Sequence, residues 1–317
     1  MKRADYRKLT GRILLVSFIS MLILNSCEGK KNRQTDSQLS GDLIIFHAGS
    51  LSMPIKVIAD TFMLLHPGVK ILSEASGSID AARKITDLKR DCDIMASADY
   101  SIIDKLLIPQ YASQNTLFAT NEMAIVFTEK SAYSQEIDTN NWAGILLRDD
   151  VIIGRADPDA DPCGYRTVLT LKLAEKDFAE KGIIIPGLAE KIQAKDNRFI
   201  RPKEVDLLAL LDTRSVDYIF LYRSVAKQHH LKYLKLPDKI NLGNPELNSH
   251  YAKVKTTVRG LRPGEKLVMK GEAMVYGVTI LNNAPNRKVA ETFLEFFLSD
   301  DGGRKILKEM GQAPVKQ

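Results

Sequence analysis

The sequence predicts an α/β protein with two lobes and a ligand cleft between them. Apolar runs of strand length alternate with helix-like patterns through residues 43–96, which is typical of a sheet covered by helices. A second alternating set starts at Met123, and the roughly 275 residues beyond position 42 suit one large or two medium α/β domains. The predicted boundaries are 42–120 together with 277–317 for the first lobe and 121–276 for the second.

The first lobe is predicted from apolar runs that are each followed by a helical pattern. Apolar residues recur at helical spacing after Pro54, and a proline-glycine pair at 67–68 ends that helix. Ser78 is well placed to cap the next helix. Because helices join successive strands, we expect a parallel sheet. The predicted elements are strands at 43–46, 69–72 and 93–96 and helices at 54–65 and 78–88.

The second lobe and the return to the first are predicted in the same way. Ligands bind α/β sheets at the carboxyl ends of the strands, so the cleft between the lobes is the expected binding site. The chain is expected to cross between the lobes near 117–127 and 274–281. The predicted elements are strands at 123–127, 151–154, 218–221 and 274–281 and helices at 167–176, 204–211, 287–298 and 303–310.

The first 26 residues are predicted to be a lipoprotein signal peptide. Five basic residues precede an apolar run at 13–24, which is shorter than the roughly 20 residues that a spanning helix needs. The segment 24–27 resembles a lipobox, so Cys27 is expected to carry the lipid and to anchor the protein outside the cytoplasm of a bacterium. An ordinary secretory leader is the alternative. Residues 27–41 are polar and aperiodic, which predicts a flexible tether.

Charge and cysteine content exclude some functions. The net charge of +6 falls to +2 once the leader's five basic residues and one acid are set aside, so nothing in the composition supports nucleic-acid binding. Beyond Cys27 the chain has only Cys92 and Cys163. These two could pair in a disulfide or remain free, and for Cys92, in an apolar run, we expect packing in the core.

Two predicted strand-to-helix junctions, at 47–51 and 75–78, combine glycine with serine. Such junctions offer free backbone N–H groups, the positive end of a helix and a hydroxyl, so they can bind an oxyanion without a cation. Gly49, Ser50 and Ser78 are the candidate residues. Each junction alone is more often an ordinary turn and helix cap than an anion site.

A third junction, at 157–166, is acidic and contains two prolines. Helix-capping aspartates in a turn are one interpretation, and a calcium loop is another. The prolines interrupt the alternation of aspartates, and no glutamate follows at the spacing that calcium binding requires. The sequence therefore does not support a calcium site.

Four segments in order resemble the molybdate- and tungstate-binding proteins of ABC importers, and in particular the branch first known from archaea. The resemblance extends from Leu43 to the C-terminus. It implies a two-lobed, type II periplasmic-binding-protein-like fold, a monomer without a cofactor, and an extracytoplasmic protein that delivers tungstate or molybdate to a membrane permease and its ATPase. The segments are 48–51, 76–78, 157–166 and 222–226.

The resemblance also implies a set of ligand-binding residues. Asp161 corresponds to an aspartate that bonds to the central molybdenum or tungsten atom, which sulfur and phosphorus oxyanions do not allow. A glutamate expected just before the tyrosine is replaced here by Leu221, which puts the second carboxylate in doubt. The implied ligand-binding residues are Gly49, Ser50, Ser78, Asp161, Pro162, Cys163, Leu221 and Tyr222.

The sequence leaves two other functions to compare. A binding protein for sulfate or phosphate on the same fold is the main alternative. An enzyme would use Ser50 as its nucleophile with a histidine base at 47, 229 or 230, but the sequence around Ser50 does not form a nucleophile elbow, so no enzymatic activity is expected. Arg83 and Arg166 are predicted to be surface or salt-bridged groups and not anion ligands.

Overall fold

The computed structural model describes residues 39–195, 197–260, 262 and 264–315. The predicted signal peptide, Cys27 and most of the predicted tether lie outside these residues. Among the residues that are described, no helix is long and apolar enough to cross a membrane.

Thirteen strands and twelve α-helices are found in the described part of the chain. The strands are β1 (Gly41–Ala48), β2 (Val69–Ser76), β3 (Ile94–Ser97), β4 (Thr116–Thr120), β5 (Met123–Phe127), β6 (Ile153–Ala156), β7 (Ile200–Arg201), β8 (Tyr218–Tyr222), β9 (Lys232–Lys235), β10 (Lys255–Arg259), β11 (Lys266–Lys270), β12 (Val275–Ile280) and β13 (Ala313–Pro314). The helices are α1 (Ser52–Leu65), α2 (Ser78–Thr86), α3 (Tyr100–Leu106), α4 (Trp142–Leu146), α5 (Pro162–Glu180), α6 (Leu188–Ala194), α7 (Leu207–Asp212), α8 (Arg223–Gln228), α9 (Asp238–Asn241), α10 (Asn248–Tyr251), α11 (Arg287–Leu298) and α12 (Gly303–Glu309).

The first lobe is built on a six-stranded sheet in the order β13-β4-β12-β3-β1-β2. The three N-terminal strands are parallel, as predicted, since β1 pairs in parallel with β2 and β3. Strand β12 pairs antiparallel with β3 and β4, so the complete sheet is mixed. The parallel strands place the junctions that follow β1, β2 and β3 at one edge of the sheet.

The second lobe is built on a five-stranded sheet in the order β7-β6-β8-β5-β9. Strand β6 is parallel to β7 and β8, which places the starts of α5 and α8 and the turn after β7 at the same edge. Strands β10 and β11 form a separate antiparallel hairpin.

The chain passes between the sheets at two crossovers. Strand β4 belongs to the first sheet and β5 to the second, so the first crossover is Asn121 and Glu122. The chain has returned to the first sheet at Val275, two residues before the position predicted for the second boundary. At the other end, β1 begins at Gly41, the last residue of the predicted tether, where Gly41 N–H donates to Gly68 O at 3.0 Å.

Helix α11 shows how the apolar pattern becomes the core. Val289, Phe293 and Phe297 recur every fourth residue and are each 1% exposed, because residues four apart share one face of a helix. Phe293 packs edge-on against Phe62 of α1 with ring centroids 5.2 Å apart. Cys92 is buried as predicted, and both described cysteines are free.

The prediction that Ser78 caps a helix is wrong. The N-cap of α2 is Gly77, and the Ser78 hydroxyl accepts a hydrogen bond from Ala98 N–H at 3.0 Å instead. The Ser78 hydroxyl therefore bonds to a backbone N–H at the end of β3 and not to a backbone N–H in the first turn of its own helix. The stretch predicted as a helix at 204–211 is a 3-10 turn over Glu204–Asp206 followed by α7.

Candidate functional site

The first junction lies where β1 leads through a 3-10 turn, Gly49–Leu51, into α1. Ser50 in this turn is 1% exposed. Its hydroxyl lies 3.0 Å from the hydroxyl of Tyr276, and its carbonyl accepts from Gln312 Nε2 at 3.2 Å. Ser50 is therefore held by residues that are more than 200 positions away in the chain.

The second junction lies at the start of α2 and touches the second lobe. An added Cβ at Gly77 would lie 2.3 Å from Ala160 O and 2.7 Å from Pro202 O, so only glycine allows this approach. Asp80 N–H donates to Ala160 O at 3.3 Å. Ser78 beside them is fully buried. The two lobes are thus in contact at the predicted anion junction.

Asp161 lies at the start of α5 in the second lobe and is 1% exposed. It is the N-cap of this helix, because its Oδ1 accepts from Cys163 N–H at 2.7 Å, and Pro162 occupies the first turn, where a missing N–H costs nothing. Its Oδ2 accepts from Glu204 N–H at 3.1 Å. Both oxygens are thereby aligned by backbone donors.

Glu204 is a site residue that the sequence analysis missed. It is 1% exposed, and an added Cβ at Gly49 would lie 2.5 Å from its Oε2, so its carboxylate faces the first junction. Within the described structure neither carboxylate oxygen has a partner in hydrogen-bonding geometry, although Asp161 and Ser50 are close enough to act on its charge. A buried carboxylate without a partner is costly in a folded protein, so its position calls for a function.

The two carboxylates change each other's protonation. Burial raises the pKa of Asp161 well above its ordinary range, and the charge of Glu204 adds to this rise. Burial also raises the pKa of Glu204, against the effect of hydrogen-bonding groups on Asp161 and Ser50. The ion pairs found among the described residues include neither carboxylate, so an adjacent cation does not relieve this repulsion.

Arg166 is buried close to the site but is committed elsewhere. Its Nη2 lies 3.2 Å from Asp99 Oδ2, and its Nη1 donates to Ala98 O at 2.7 Å. Tyr165 donates to the same Asp99 oxygen. The prediction of a salt-bridged Arg166 is confirmed, and the salt bridge joins α5 of the second lobe to the N-terminus of α3 in the first.

Arg83 also links the lobes. From α2 it donates to Asp159 O at 2.7 Å and to Arg259 O at 3.0 Å. Arg259 N–H in turn donates to Asp159 Oδ1 at 2.7 Å. The guanidinium also pairs with Asp80 Oδ1 at 3.4 Å, so the prediction of a surface or salt-bridged Arg83 is confirmed. Its other bonds tie the first lobe to both the acidic loop and the β10–β11 hairpin.

The other predicted ligand-binding residues, Leu221, Tyr222 and Cys163, differ in the polar groups that they offer to an anion. Leu221 is fully buried in β8 as part of the apolar core, so its side chain offers no polar group to an anion. Tyr222 accepts a long hydrogen bond of 3.4 Å from Arg166 Nη1. Cys163 supplies its backbone N–H to Asp161, and its thiol, whose pKa burial raises, lies against Phe220 O.

The structure does not assemble the serine and histidine pair considered for an enzyme. Ser50 contacts Tyr276, whereas Nδ1 of His47 lies 2.8 Å from Ala48 O. Burial lowers the pKa of His47 to about 4. The paired residues His229 and His230 follow the end of α8, where both are exposed.

The geometry is that of two lobes closed over buried carboxylates and hydroxyls, and comparison with known proteins agrees with it. The family model of bacterial extracellular solute-binding proteins matches residues 43–312. The chain belongs to this family.

Two relatives illustrate its range. A solute-binding protein of Petrotoga mobilis is 45% identical over 277 residues, covering 87% of this chain and 85% of the relative. The molybdate/tungstate-binding protein WtpA of Thermococcus kodakarensis is 41% identical over 328 residues, covering 96% of this chain and 90% of the relative.

Solved structures support the predicted two-lobed fold. The periplasmic molybdate-binding protein of Azotobacter vinelandii superposes with a TM-score of 0.60 at 13% identity, covering 87% of this chain and all of that one. The sulfate-binding protein SubI of Mycobacterium tuberculosis superposes with a TM-score of 0.62 at 11% identity, covering 87% of each chain. At these identities the likeness concerns the fold of this family member and not its ligand.

Proposed function

We propose that this family member binds tungstate or molybdate between its lobes and delivers the ion to an ABC permease and its ATPase. The observation that carries the proposal is the pair of buried carboxylates, Asp161 and Glu204, beside two junctions rich in hydroxyls and amides. The 41% identity to WtpA supports the same ligand class.

The carboxylate pair favours a metal-centred oxyanion. A carboxylate repels the oxygens of a dianion unless one of the two is protonated or the carboxylate bonds directly to the central atom. Tungsten and molybdenum can accept extra oxygen ligands, whereas sulfur and phosphorus in their oxyanions cannot. Asp161 and Glu204 would supply the two additional oxygens. Glu204 would thus replace the glutamate that the family resemblance implies at the position of Leu221.

The anion's own oxygens would meet hydrogen-bond donors. The turn at Gly49–Leu51 and the start of α2 present backbone N–H groups, and Ser50 and Ser78 present hydroxyls. Because Ser78 accepts from Ala98 N–H, its hydroxyl hydrogen remains available for an acceptor. Donors of this kind bind oxyanions without a cation.

Capture would proceed by closure of the two lobes. Arg83 and the Asp99–Arg166 ion pair both bridge the cleft in the present closed arrangement. The two crossovers at 121–122 and before Val275 are the points at which backbone rotation would open it. We further propose that lipid on Cys27 and the tether anchor the protein to a bacterial membrane on the extracytoplasmic side, as a monomer.

Calorimetric titration of the purified protein with tungstate, molybdate, sulfate and phosphate tests the proposal. We expect tight binding of tungstate or molybdate, and sulfate binding weaker by at least about 100-fold, since two carboxylates repel it. Equal affinity for sulfate and tungstate would refute the proposed ligand class.

Substitution of Asp161 by asparagine tests the role of the carboxylates. Asparagine can keep the helix cap through its one amide oxygen, although its NH2 group cannot accept from Glu204 N–H, and it cannot bond to tungsten as a carboxylate does. The ratio of tungstate to sulfate affinity should therefore fall at least tenfold. Asp177→Asn is the matched control, because Asp177 is a buried acid on the same helix that pairs with Lys181. An unchanged ratio in Asp161→Asn would exclude direct bonding.

A further inference from the structure

A line of buried hydrogen bonds leads from the first crossover to the Ser50 hydroxyl. It runs from Asn121 through Tyr276 to Ser50, whose exposed fractions are 6%, 0% and 1%. Asn121 lies in the first crossover, and Tyr276 lies next to the irregularity in β12 that follows the second. One residue of the proposed anion pocket is thus joined to both passages of the chain between the lobes.

The direction of this line is fixed at Asn121. Its Oδ1 accepts from two backbone groups, Glu122 N–H at 3.0 Å and Ser224 N–H at 3.3 Å. Backbone N–H groups can only donate, so the amide oxygen must face them and the amide nitrogen must face the other way. Nδ2 then donates to Ser224 Oγ at 2.7 Å and to the Tyr276 hydroxyl at 2.9 Å.

The direction passes from Tyr276 to Ser50. A tyrosine hydroxyl has one hydrogen, and because this one accepts from Asn121, its hydrogen is directed to Ser50 Oγ, 3.0 Å away. Ser50 therefore accepts from Tyr276 and keeps its own hydrogen for a different partner. The Glu204 carboxylate lies beside the neighbouring Gly49, where an added Cβ would be 2.5 Å from its Oε2, and Ser50 acts on its charge.

We propose that Asn121 and Tyr276 are positioning residues that hold the Ser50 hydroxyl as a donor toward an anion oxygen that carries no proton. The inference rests on the proposed function, because it concerns the same pocket. The Tyr276 ring packs against Phe118 and Tyr222, with centroid distances of 5.7 and 6.5 Å, so its hydroxyl is held in place without any ligand. A donor oriented in advance loses less entropy when the anion binds.

Tyr276→Phe tests the inference, because phenylalanine keeps the ring and removes only the hydroxyl. We expect the affinity for the oxyanion that the wild type binds best to fall about tenfold. Tyr251→Phe is the matched control: this buried tyrosine donates to Asp238 O and accepts from Asn244 N–H in the second lobe. The control should change the affinity by less than about twofold, although it also loses a buried hydroxyl.

A double-mutant cycle with Ser50→Ala separates positioning from packing. If Tyr276 acts through the Ser50 hydroxyl, Tyr276→Phe should cause no further loss of affinity in the Ser50→Ala background. An equal loss in both backgrounds, or no loss in the wild-type background, would overturn the inference. Should Tyr276→Phe not fold, Asn121→Asp serves instead: the new carboxylate still accepts the two backbone N–H groups but attracts the Tyr276 hydrogen, so affinity should fall by more than tenfold.

Titration with several anions separates the test of Asn121 and Tyr276 from the test of which anion the protein binds. Each variant is titrated with tungstate, molybdate and sulfate. If the wild type binds sulfate and neither group-six anion, the proposed ligand is wrong and the cycle is carried out with sulfate. If the wild type binds none of the three, both the proposed function and the role of Asn121 and Tyr276 are overturned.

Discussion

Replacement of Gly77 by alanine should block closure of the lobes without unfolding the protein. The added Cβ would lie 2.3 Å from Ala160 O and 2.7 Å from Pro202 O, which are backbone atoms of the other lobe. Comfortable contact needs about 3.5 Å, so the lobes would have to separate by about 1 Å at this point. The hydrogen bond from Asp80 N–H to Ala160 O, already 3.3 Å long, would be lost.

Overpacking of this kind costs about 1–3 kcal/mol, which corresponds to a loss of affinity of about 5- to 150-fold. The cost falls on the closed form alone, because Gly77 has an extended backbone, with φ −58° and ψ 144°, in which alanine is not strained. The thermal unfolding temperature of the ligand-free protein should therefore hardly change.

Titration calorimetry with tungstate and thermal unfolding of Gly77→Ala measure these two quantities. Gly144→Ala is the control, since an added Cβ there meets nothing within 4 Å. Wild-type affinity in Gly77→Ala would refute the argument that closure brings these backbones together, and a large loss of stability without ligand would show that the clash exists in the open form as well.

Three further predictions concern charge. Arg83→Gln should speed ligand dissociation about fivefold in stopped-flow measurements, because it weakens a bridge across the cleft, whereas Arg90→Gln, which breaks a pair with Glu74 in the first lobe, should not. Asp99→Asn leaves Arg166, which is buried in the closed form, without its counter-ion and should lower the free energy of unfolding of the tungstate-saturated protein in urea by about 3–5 kcal/mol. Burial raises the pKa of Asp161 above its unfolded value, and the charge of Glu204, which lies in the same lobe and needs no closure, adds to this rise. The stability contributed by this carboxyl is therefore complete below the unfolded pKa and is lost as the pH rises through the raised pKa; urea unfolding of the ligand-free wild type should show this decline, and Asp161→Asn should flatten it.

The family resemblance implied Asp161, Pro162 and Cys163 as site residues, and helix-capping aspartates were one interpretation of their loop. The structure shows this cap, but the helix begins at Pro162 and not at the predicted position 167. The alternation of apolar runs predicted the three parallel strands of the first lobe, because burial on both faces leaves a strong pattern.

Glu204 escaped prediction because its position depends on a long-range pairing. The two-residue strand β7 lies parallel to β6, with Ala156 opposite Arg201, and this pairing brings the turn after Pro202 beside the start of α5. A strand of two residues leaves no periodic pattern. The only signal was an acid that follows a proline at the end of a short polar segment, and the helical interpretation of 204–211 concealed it.

The error at Ser78 has a similar cause and a more useful consequence. Serine before a helical pattern usually caps the helix, but here Ala98 N–H at the end of β3 takes the hydroxyl oxygen. Ala98 O accepts from Arg166 of the other lobe, and Arg166 lies little more than one turn after Asp161 on α5. A connected series of hydrogen bonds therefore runs from Ser78 through Ala98 to Arg166, on the helix that Asp161 caps. An anion that contacts both Ser78 and Asp161 would bind at both ends of this series of hydrogen bonds. Since the series is complete only in the closed form, such an anion would stabilise the closed form over the open one. Recognition and closure are in this view one equilibrium, since the residues that contact the anion are positioned by the bonds that hold the lobes together.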